Sequence, residues 1–268
     1  MDTRLGINRP VVVAALLLLA AGAAMAGETA GGRKALLYVI GGGLGFALYH
    51  AAFGFTSAWR AFISRGRADG LRAQMLMLAV ASAAFLPLIE AGSLFGQPLG
   101  GAVAPVGVSV LVGAALFGLG MQLGGGCASG TLFSGGVGST RMLVSLGFFV
   151  TGALIGSAHL PWWLAQPSLG AISLPRELGL PGALALQLAV FAAIALFATW
   201  VERRRGAAPV VARGEGRELS FAALLRGPWP LVWGALALAL LNIATLLVAG
   251  HPWSITFGFS LWGAKAAP

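Results

Sequence analysis

The sequence predicts an all-α polytopic membrane protein, with about seven to eight transmembrane helices and short re-entrant helices at glycine-rich breaks. Of its 268 residues, 58% are hydrophobic and only 9% are charged, which is too little charge to cover a soluble surface of that size. The apolar residues form runs near the roughly 20 residues that cross a bilayer. These runs cover 11–26, 36–58, 73–95, 102–123, 142–160, 181–201, 229–249 and 252 to the end.

The charged residues lie mainly between the apolar runs, and most of them are basic. The net charge of +9 is concentrated in short clusters, which suit the cytoplasmic loops of a membrane protein and argue against nucleic acid as a partner. The predicted environment is the lipid bilayer of the bacterial inner membrane, crossed several times. The clusters are Arg60, Arg65, Arg67 and Arg72, followed by Arg203, Arg204, Arg205, Arg213 and Arg217.

The first apolar run has two interpretations. Arg4 and Arg9 precede it, and Ala24-Met25-Ala26 stands before Gly27, which is the layout of a secretory signal peptide. The same residues also suit a first spanning helix whose amino end is cytoplasmic. We expect the uncleaved helix, in an N-terminal segment over 1–35, with cleavage as the alternative.

The basic residues predict a topology when the amino terminus is placed inside. The second run then ends inside at Arg60, the third ends outside near Glu90, and the fifth starts inside at Arg141. The sixth descends from Pro161-Trp162-Trp163, whose tryptophans suit the outer interface, to a cytoplasmic loop at Glu202. The fourth run must therefore enter and remain inside, as a descending helix followed by a re-entrant segment.

The segment Met121–Gly136, MQLGGGCASGTLFSGG, is the predicted functional centre. It places the only cysteine, Cys127, directly after Gly124, Gly125 and Gly126. Each glycine costs a helix roughly 1 kcal/mol relative to alanine, so we expect the helix to unwind there. Non-helical backbone at membrane depth requires protein or a water-filled cavity around it, and such broken helices form the binding sites of transporters. A single cysteine also excludes an internal disulfide.

A short internal sequence repeat predicts a duplicated architecture. The sequence FGFTSAW at 53–59 returns, one residue shorter, as FGFSLW at 257–262, and His50 and His251 lie upstream of the two copies. Transporters are commonly built from such repeats. The expected organisation is a first repeat over 36–200, a basic cytoplasmic loop over 201–228, and the start of a second repeat over 229–268.

Longer stretches of the chain resemble the YeeE/YedE sulfur-transport family, whose characterised members are thiosulfate uptake permeases. The similarity covers about residues 36–268 and includes FGFTSAWR, LRAQMLMLAVASAAFLPLIEAG and HPWSITFGFSLWGAK, with GMQLGGGCASGT as the specific part. The resemblance implies a path for thiosulfate, or a related sulfur anion, lined by cysteines between short re-entrant helices; Cys127 matches one of them. Full-length members of the family continue into a second glycine- and cysteine-rich segment, and this sequence stops before it. We therefore expect either a fragment of a longer protein or a second half or copy of the permease as a partner. A small cytosolic sulfur carrier is a further expected partner.

The candidate contacts for the anion lie in the same glycine-rich segment. A neutral thiol at Cys127 is a soft, polarizable contact that favours the terminal sulfur of thiosulfate over the hard oxygens of sulfate. A helix that starts at Ala128 would attract an anion by about 0.3–2 kcal/mol, and the glycine N–H groups can form an anion nest. Ser129, Thr131 and Gln122 are candidate donors, although such residues also bond within and between helices.

Phe55, Thr56 and Ser57 are predicted to form the opposite wall of the path, with a helix break packed by small residues as the alternative. Glu90 and His159 are expected at the membrane interface. The three histidines have no metal-ligand spacing, and no phosphate loop, catalytic triad or dinucleotide fingerprint is present. The sequence therefore predicts no metal, no cofactor and no enzymatic activity.

The predicted function is a permease that takes up thiosulfate, or a related soft sulfur anion, without an ATPase domain in this chain. The main alternative is a membrane sulfurtransferase with Cys127 as a persulfide-forming nucleophile. Such an enzyme would use a general base beside the thiol, and GGGCASGT supplies none. The second alternative is a non-transporting membrane subunit of a larger sulfur-transport complex.

Overall fold

The computed structural model describes residues 9–94, 96–206 and 227–267, which fold into eleven helices and four short strands. The helices are α1 Arg9–Ala30, α2 Gly32–Ala51, α3 Phe55–Arg65, α4 Asp69–Glu90, α5 Val108–Gly124, α6 Ala128–Gly136, α7 Thr140–Ala158, α8 Leu160–Leu164, α9 Leu174–Arg204, α10 Leu231–Ala249 and α11 Ile255–Ala266. The strands are β1 Ser93–Leu94, β2 Gln97–Pro98, β3 Pro105–Gly107 and β4 Ser168–Ala171.

Seven helical segments of the described chain are long and apolar enough to cross a membrane, which confirms the all-α polytopic fold. Two of these segments are the pairs α2–α3 and α5–α6, and the others are α1, α4, α7, α9 and α10. In the last apolar run the described helix, α11, has 12 residues and is about 18 Å long. Arg4, Arg213, Arg217 and most of the predicted loop over 201–228 lie outside the described residues.

Three long helices end in a left-handed residue and are followed, after a short break, by a short helix. The left-handed residues are Ala52 after α2, Gly125 after α5 and Gly250 after α10. Glycine adopts this conformation freely, whereas Ala52 does so at a cost on the order of 1 kcal/mol. The break predicted after Gly124 is confirmed, while the apolar run over 36–58 is not one helix, because residues 52–54 are non-helical.

The two FGF copies occupy different positions relative to these breaks. Phe53-Gly54-Phe55 crosses the break between α2 and α3, whereas Phe257-Gly258-Phe259 lies inside α11. The order of a long helix, a break and a short helix is nevertheless common to both regions. The duplication itself therefore stays a prediction.

The described arginines of the two predicted clusters lie at one end of the helix bundle, here called the basic end. Glu202 at the end of α9 accepts hydrogen bonds from Arg72 at 2.5 Å and from the backbone N–H of Ala68 at 2.9 Å. Arg205 donates to the carbonyl of Ile63 at 2.9 Å. These contacts place the turn between α3 and α4 beside the carboxyl end of α9.

Arg60 and Arg141 join the basic end through the last turn of α5. Arg60 donates to the side-chain oxygen of Gln122 at 3.1 Å, and Arg141 donates to the carbonyl of Leu123 at 3.5 Å. The start of α7 therefore lies beside the end of α5. This arrangement agrees with a segment between the two helices that enters the bundle and returns to the same side.

The opposite end carries the short strands, which the sequence did not predict. Strands β1 and β2 form a hairpin, and β3 pairs with β4 so that the segment before α5 is joined to the segment before α9. The backbone N–H of Gly100 donates to the carbonyl of Gly250 at 2.8 Å, so the end of α10 belongs to the same layer. Three connections, those before α5, α9 and α11, thus cover the end of the bundle that lacks the arginine clusters.

The buried core lies where α2, α4 and α10 meet, with a second cluster between α4 and α9. Small residues allow the helices to approach closely, as is usual in membrane bundles. A Cβ atom at Gly70 would lie only 2.7 Å from the Cβ of Ala58, so glycine sets the distance between α3 and α4. By contrast, α1, α5 and α7 contain no buried residue. Their apolar faces remain available to lipid or to another protein.

We expect the basic end to face the cytoplasm, following the positive-inside rule. Arg65→Cys, Arg204→Cys and His159→Cys are each introduced into a Cys127→Ala background and treated with a membrane-impermeant thiol reagent. In intact cells only the cysteine at position 159 should react, and permeabilised cells should show reaction at all three positions. Labelling at position 65 or 204 in intact cells would contradict this topology.

Candidate functional site

The predicted helix break forms a tight turn that ends at Cys127. Gly125 closes α5 with a φ of 83°, and Cys127 is extended and stands immediately before α6. Gly126 is buried between them, and a Cβ there would lie 3.1 Å from the hydroxyl oxygen of Thr131 and 3.2 Å from its backbone nitrogen. The glycines thus allow the backbone to fold back against the first turn of α6.

Three short helices begin around one cavity of about 360 Å³. Its wall includes the first residue of each helix, namely Phe55 of α3, Ala128 of α6 and Ile255 of α11. Side chains of α2, α4, α5 and α10 complete the wall, including Leu44, Leu48, Met77, Phe117 and Leu238. The three chain breaks therefore converge on a single space inside the bundle.

None of the three short helices has a side-chain cap at its amino end. The first N–H groups of a helix have no partner within it, and they carry the positive end of the helix dipole. No aspartate or glutamate is among the described residues that line the cavity. The electrostatic character of this space therefore favours an anion, by about 0.3–2 kcal/mol for each helix end that reaches it.

Cys127 contributes the thiol of this cavity and is partly buried. Its Sγ lies 3.4 Å from the hydroxyl oxygen of Ser129, which also lines the cavity. Asn242 and Thr256 supply two further polar side chains to the same wall. The rest of the lining is mostly apolar, as in many small-ligand sites where a few polar groups orient the ligand.

The structure places the remaining candidate residues of α5 and α6 around the break rather than on the cavity wall. The side-chain amide of Gln122 accepts from Arg60 at 3.1 Å and donates to the carbonyl of Thr56 at 3.5 Å, so it joins α5 to α3. Thr131 is buried behind Gly126. These residues hold the break in place.

The three predicted site residues at the start of α3 have different surroundings. Phe55 lines the cavity, whereas the buried hydroxyl of Thr56 has no hydrogen-bond partner among the described residues. The hydroxyl of Ser57 donates to the carbonyl of Gly54 at 2.9 Å. Of these three residues, only Phe55 therefore lines the cavity that contains Cys127, and the opposite wall stays a prediction.

Sequence reasoning missed the contribution of α10 and α11 to the cavity. Asn242 accepts a hydrogen bond from the backbone N–H of Trp253 at 3.0 Å, and both residues line the cavity together with Thr256. Asn242 interrupts the otherwise apolar run LALLNIATLL. A polar side chain in the middle of a membrane-spanning run indicates a functional site or a contact between helices. The position of Asn242 in the sequence could therefore have identified it as a candidate.

Comparison with known proteins identifies the family of this chain. "Probable transporter YedE" from Escherichia coli (strain K12) is 29% identical over 189 residues, which cover 68% of this chain and 45% of that protein. The chain thus spans about half the length of this curated relative. A family model described as "Sulphur transport" matches residues 50–268, a range that includes all three breaks and Cys127. The resemblance found in the sequence is confirmed: the chain belongs to this sulphur transport family.

Proposed function

We propose that this chain takes up thiosulfate, or a closely related soft sulfur anion, through the cavity at Cys127 in the bacterial inner membrane. One observation carries the proposal: a thiol stands directly before an uncapped helix, in a cavity where two other short helices also begin. The helix ends supply attraction for an anion, and the thiol supplies a contact for sulfur. Membership of a sulphur transport family supports the same conclusion.

Attraction by helix ends would not select one tetrahedral sulfur anion over another. Thiosulfate and sulfate carry the same charge, and N–H donors bind the oxygen atoms of either. The terminal sulfur of thiosulfate is larger and more polarizable than oxygen, and it meets a similarly soft group at Cys127. Ser129, whose hydroxyl oxygen lies 3.4 Å from Sγ, is placed to donate to the anion beside the thiol. Selection is therefore assigned to the sulfur contact.

We propose that the Cys127 thiol stays neutral and forms no covalent bond during transport. A thiolate would repel a dianion, and weak binding lets the ligand leave the site. A sulfurtransferase reaction would instead benefit from a general base at the thiol. The described residues on the cavity wall include no histidine, lysine or carboxylate, which favours transport over the enzymatic alternative.

The transport path is proposed to be completed by further protein. The helices α5 and α7 on either side of the Cys127 break contain no buried residue, so one side of the site has an unoccupied protein surface. A second half or a second copy of the permease would cover these faces and contribute the opposite wall. A small cytosolic sulfur carrier that receives the anion at the basic end remains a prediction from the resemblance.

Replacing the thiol tests the proposed function. Cys127→Ala is expected to reduce thiosulfate uptake at least tenfold, and Cys127→Ser should be nearly as poor because oxygen is a hard contact. Uptake of labelled thiosulfate is measured in intact cells that lack their own thiosulfate uptake, with membrane levels determined by immunoblot. Ser145→Ala is a matched control, since its hydroxyl bonds within its own helix. Wild-type uptake by both Cys127 variants would remove the thiol from the mechanism.

Competition between anions tests the basis of selection. In the same cells, unlabelled thiosulfate added outside should inhibit labelled uptake at least tenfold more strongly than equal concentrations of sulfate or phosphate. The physical reason is that only thiosulfate offers a soft sulfur atom to Cys127. Raising the salt concentration with sodium chloride controls for simple charge screening. Equal inhibition by sulfate and thiosulfate would overturn the soft-contact mechanism even where uptake itself is confirmed.

A further inference from the structure

A second cavity, of about 210 Å³, lies between the helix break at Gly54 and the basic end. It follows one side of α3 from Ser57 to Arg65, and α4 together with the start of α10 forms its other walls. We call it the inner cavity. The Cys127 cavity and the inner cavity share one wall residue, Phe53, whose ring is buried at the break. The two spaces are therefore neighbours on either side of the start of α3.

The inner cavity has a net positive lining. Arg65, Arg67 and Asp69 all line it, and Arg67 forms a salt bridge with Asp69 at 2.7 Å. Arg65 has no carboxylate within ion-pair distance in the described part of the chain. Because the pair at Arg67 and Asp69 is neutral in sum, Arg65 gives the lining its net positive charge, and its exposed guanidinium group is accessible to an anion.

One residue on the same wall, Gln74, carries a buried oxygen without a hydrogen-bond partner in the described structure. The side chain of Gln74 is almost fully buried, and its amide nitrogen donates to the carbonyl of Phe55 at 3.4 Å. Its Oε1 has no hydrogen-bond partner in the described structure. Leaving a buried acceptor unpaired is unfavourable, so a donor such as water is required there. The cavity has room for several water molecules, at about 30 Å³ each in the liquid.

We infer that the inner cavity is a second anion site, which receives tetrahedral sulfur oxyanions after they leave Cys127 and holds them through Arg65 while they remain partly hydrated. The inference rests on the proposed function and adds to it a separate site with a different selectivity. The described lining offers the guanidinium group of Arg65 and no thiol, while the Ser57 hydroxyl and the Gln74 amide nitrogen already donate to backbone carbonyls. A guanidinium group binds oxyanion oxygens, so this site accepts sulfate and thiosulfate alike.

Direct binding to the purified full chain tests the second site without any transport measurement. Isothermal titration calorimetry with sulfate should show binding to wild type, weakened at least tenfold in Arg65→Gln and retained within about threefold in Arg65→Lys. Arg203→Gln is the matched control, because it removes the same charge from an exposed position at the same end that does not line the cavity. Cys127→Ala should leave sulfate binding unchanged.

A second variant covers the case in which Arg65→Gln does not fold. Ala61 also lines the inner cavity, so Ala61→Asp should weaken sulfate binding at least tenfold by like-charge repulsion, while Ala61→Ser should not. No sulfate binding to wild type, or equal binding to all folded variants, would overturn the second site. Because Cys127→Ala is expected to reduce uptake but to spare sulfate binding, failure of this inference is distinguishable from failure of the proposed function.

Discussion

The hydrogen-bonding requirement of the peptide backbone in an apolar medium is the constraint on which this structure depends. A chain that crosses a bilayer satisfies that requirement most simply by remaining helical. Here three long helices are each followed by a non-helical break, and each break leads to a short helix whose first N–H groups have no side-chain cap. The three starts share one cavity, so the unsatisfied groups lie together where an anion or water can bind them. The site is thus a direct consequence of the breaks.

The breaks are held by contacts of different chemistry. Gly126 packs against Thr131 at the start of α6, while Gln122 bridges Arg60 and the first turn of α3. At α11 the equivalent support is the bond between Asn242 and the N–H of Trp253. Each arrangement joins a non-helical segment to a neighbouring helix. The short helices are therefore positioned by tertiary contacts, since nine to twelve residues are marginal as isolated helices.

In the proposed mechanism the two cavities have different roles in transport. The one at Cys127 is mostly apolar and contains a soft contact, so it suits discrimination between similar anions. The inner cavity is charged and requires water, so it suits release toward the basic end. Phe53 borders both, and an anion passing from one to the other would have to pass its ring. A selective, weakly binding site followed by a hydrated one avoids trapping the ligand.

The sequence by itself determined the membrane class, the positions of most spans, the break after Gly124 and the candidate thiol. It did so because hydropathy, glycine content and charge act locally along the chain. Only the tertiary structure decided which breaks face one another, that Gln122 is engaged by Arg60, and that Asn242 reaches the same cavity as Cys127. These facts depend on the packing of helices far apart in sequence. No local pattern encodes that packing, because it follows from the shapes of the helices and the few positions where small residues let them approach.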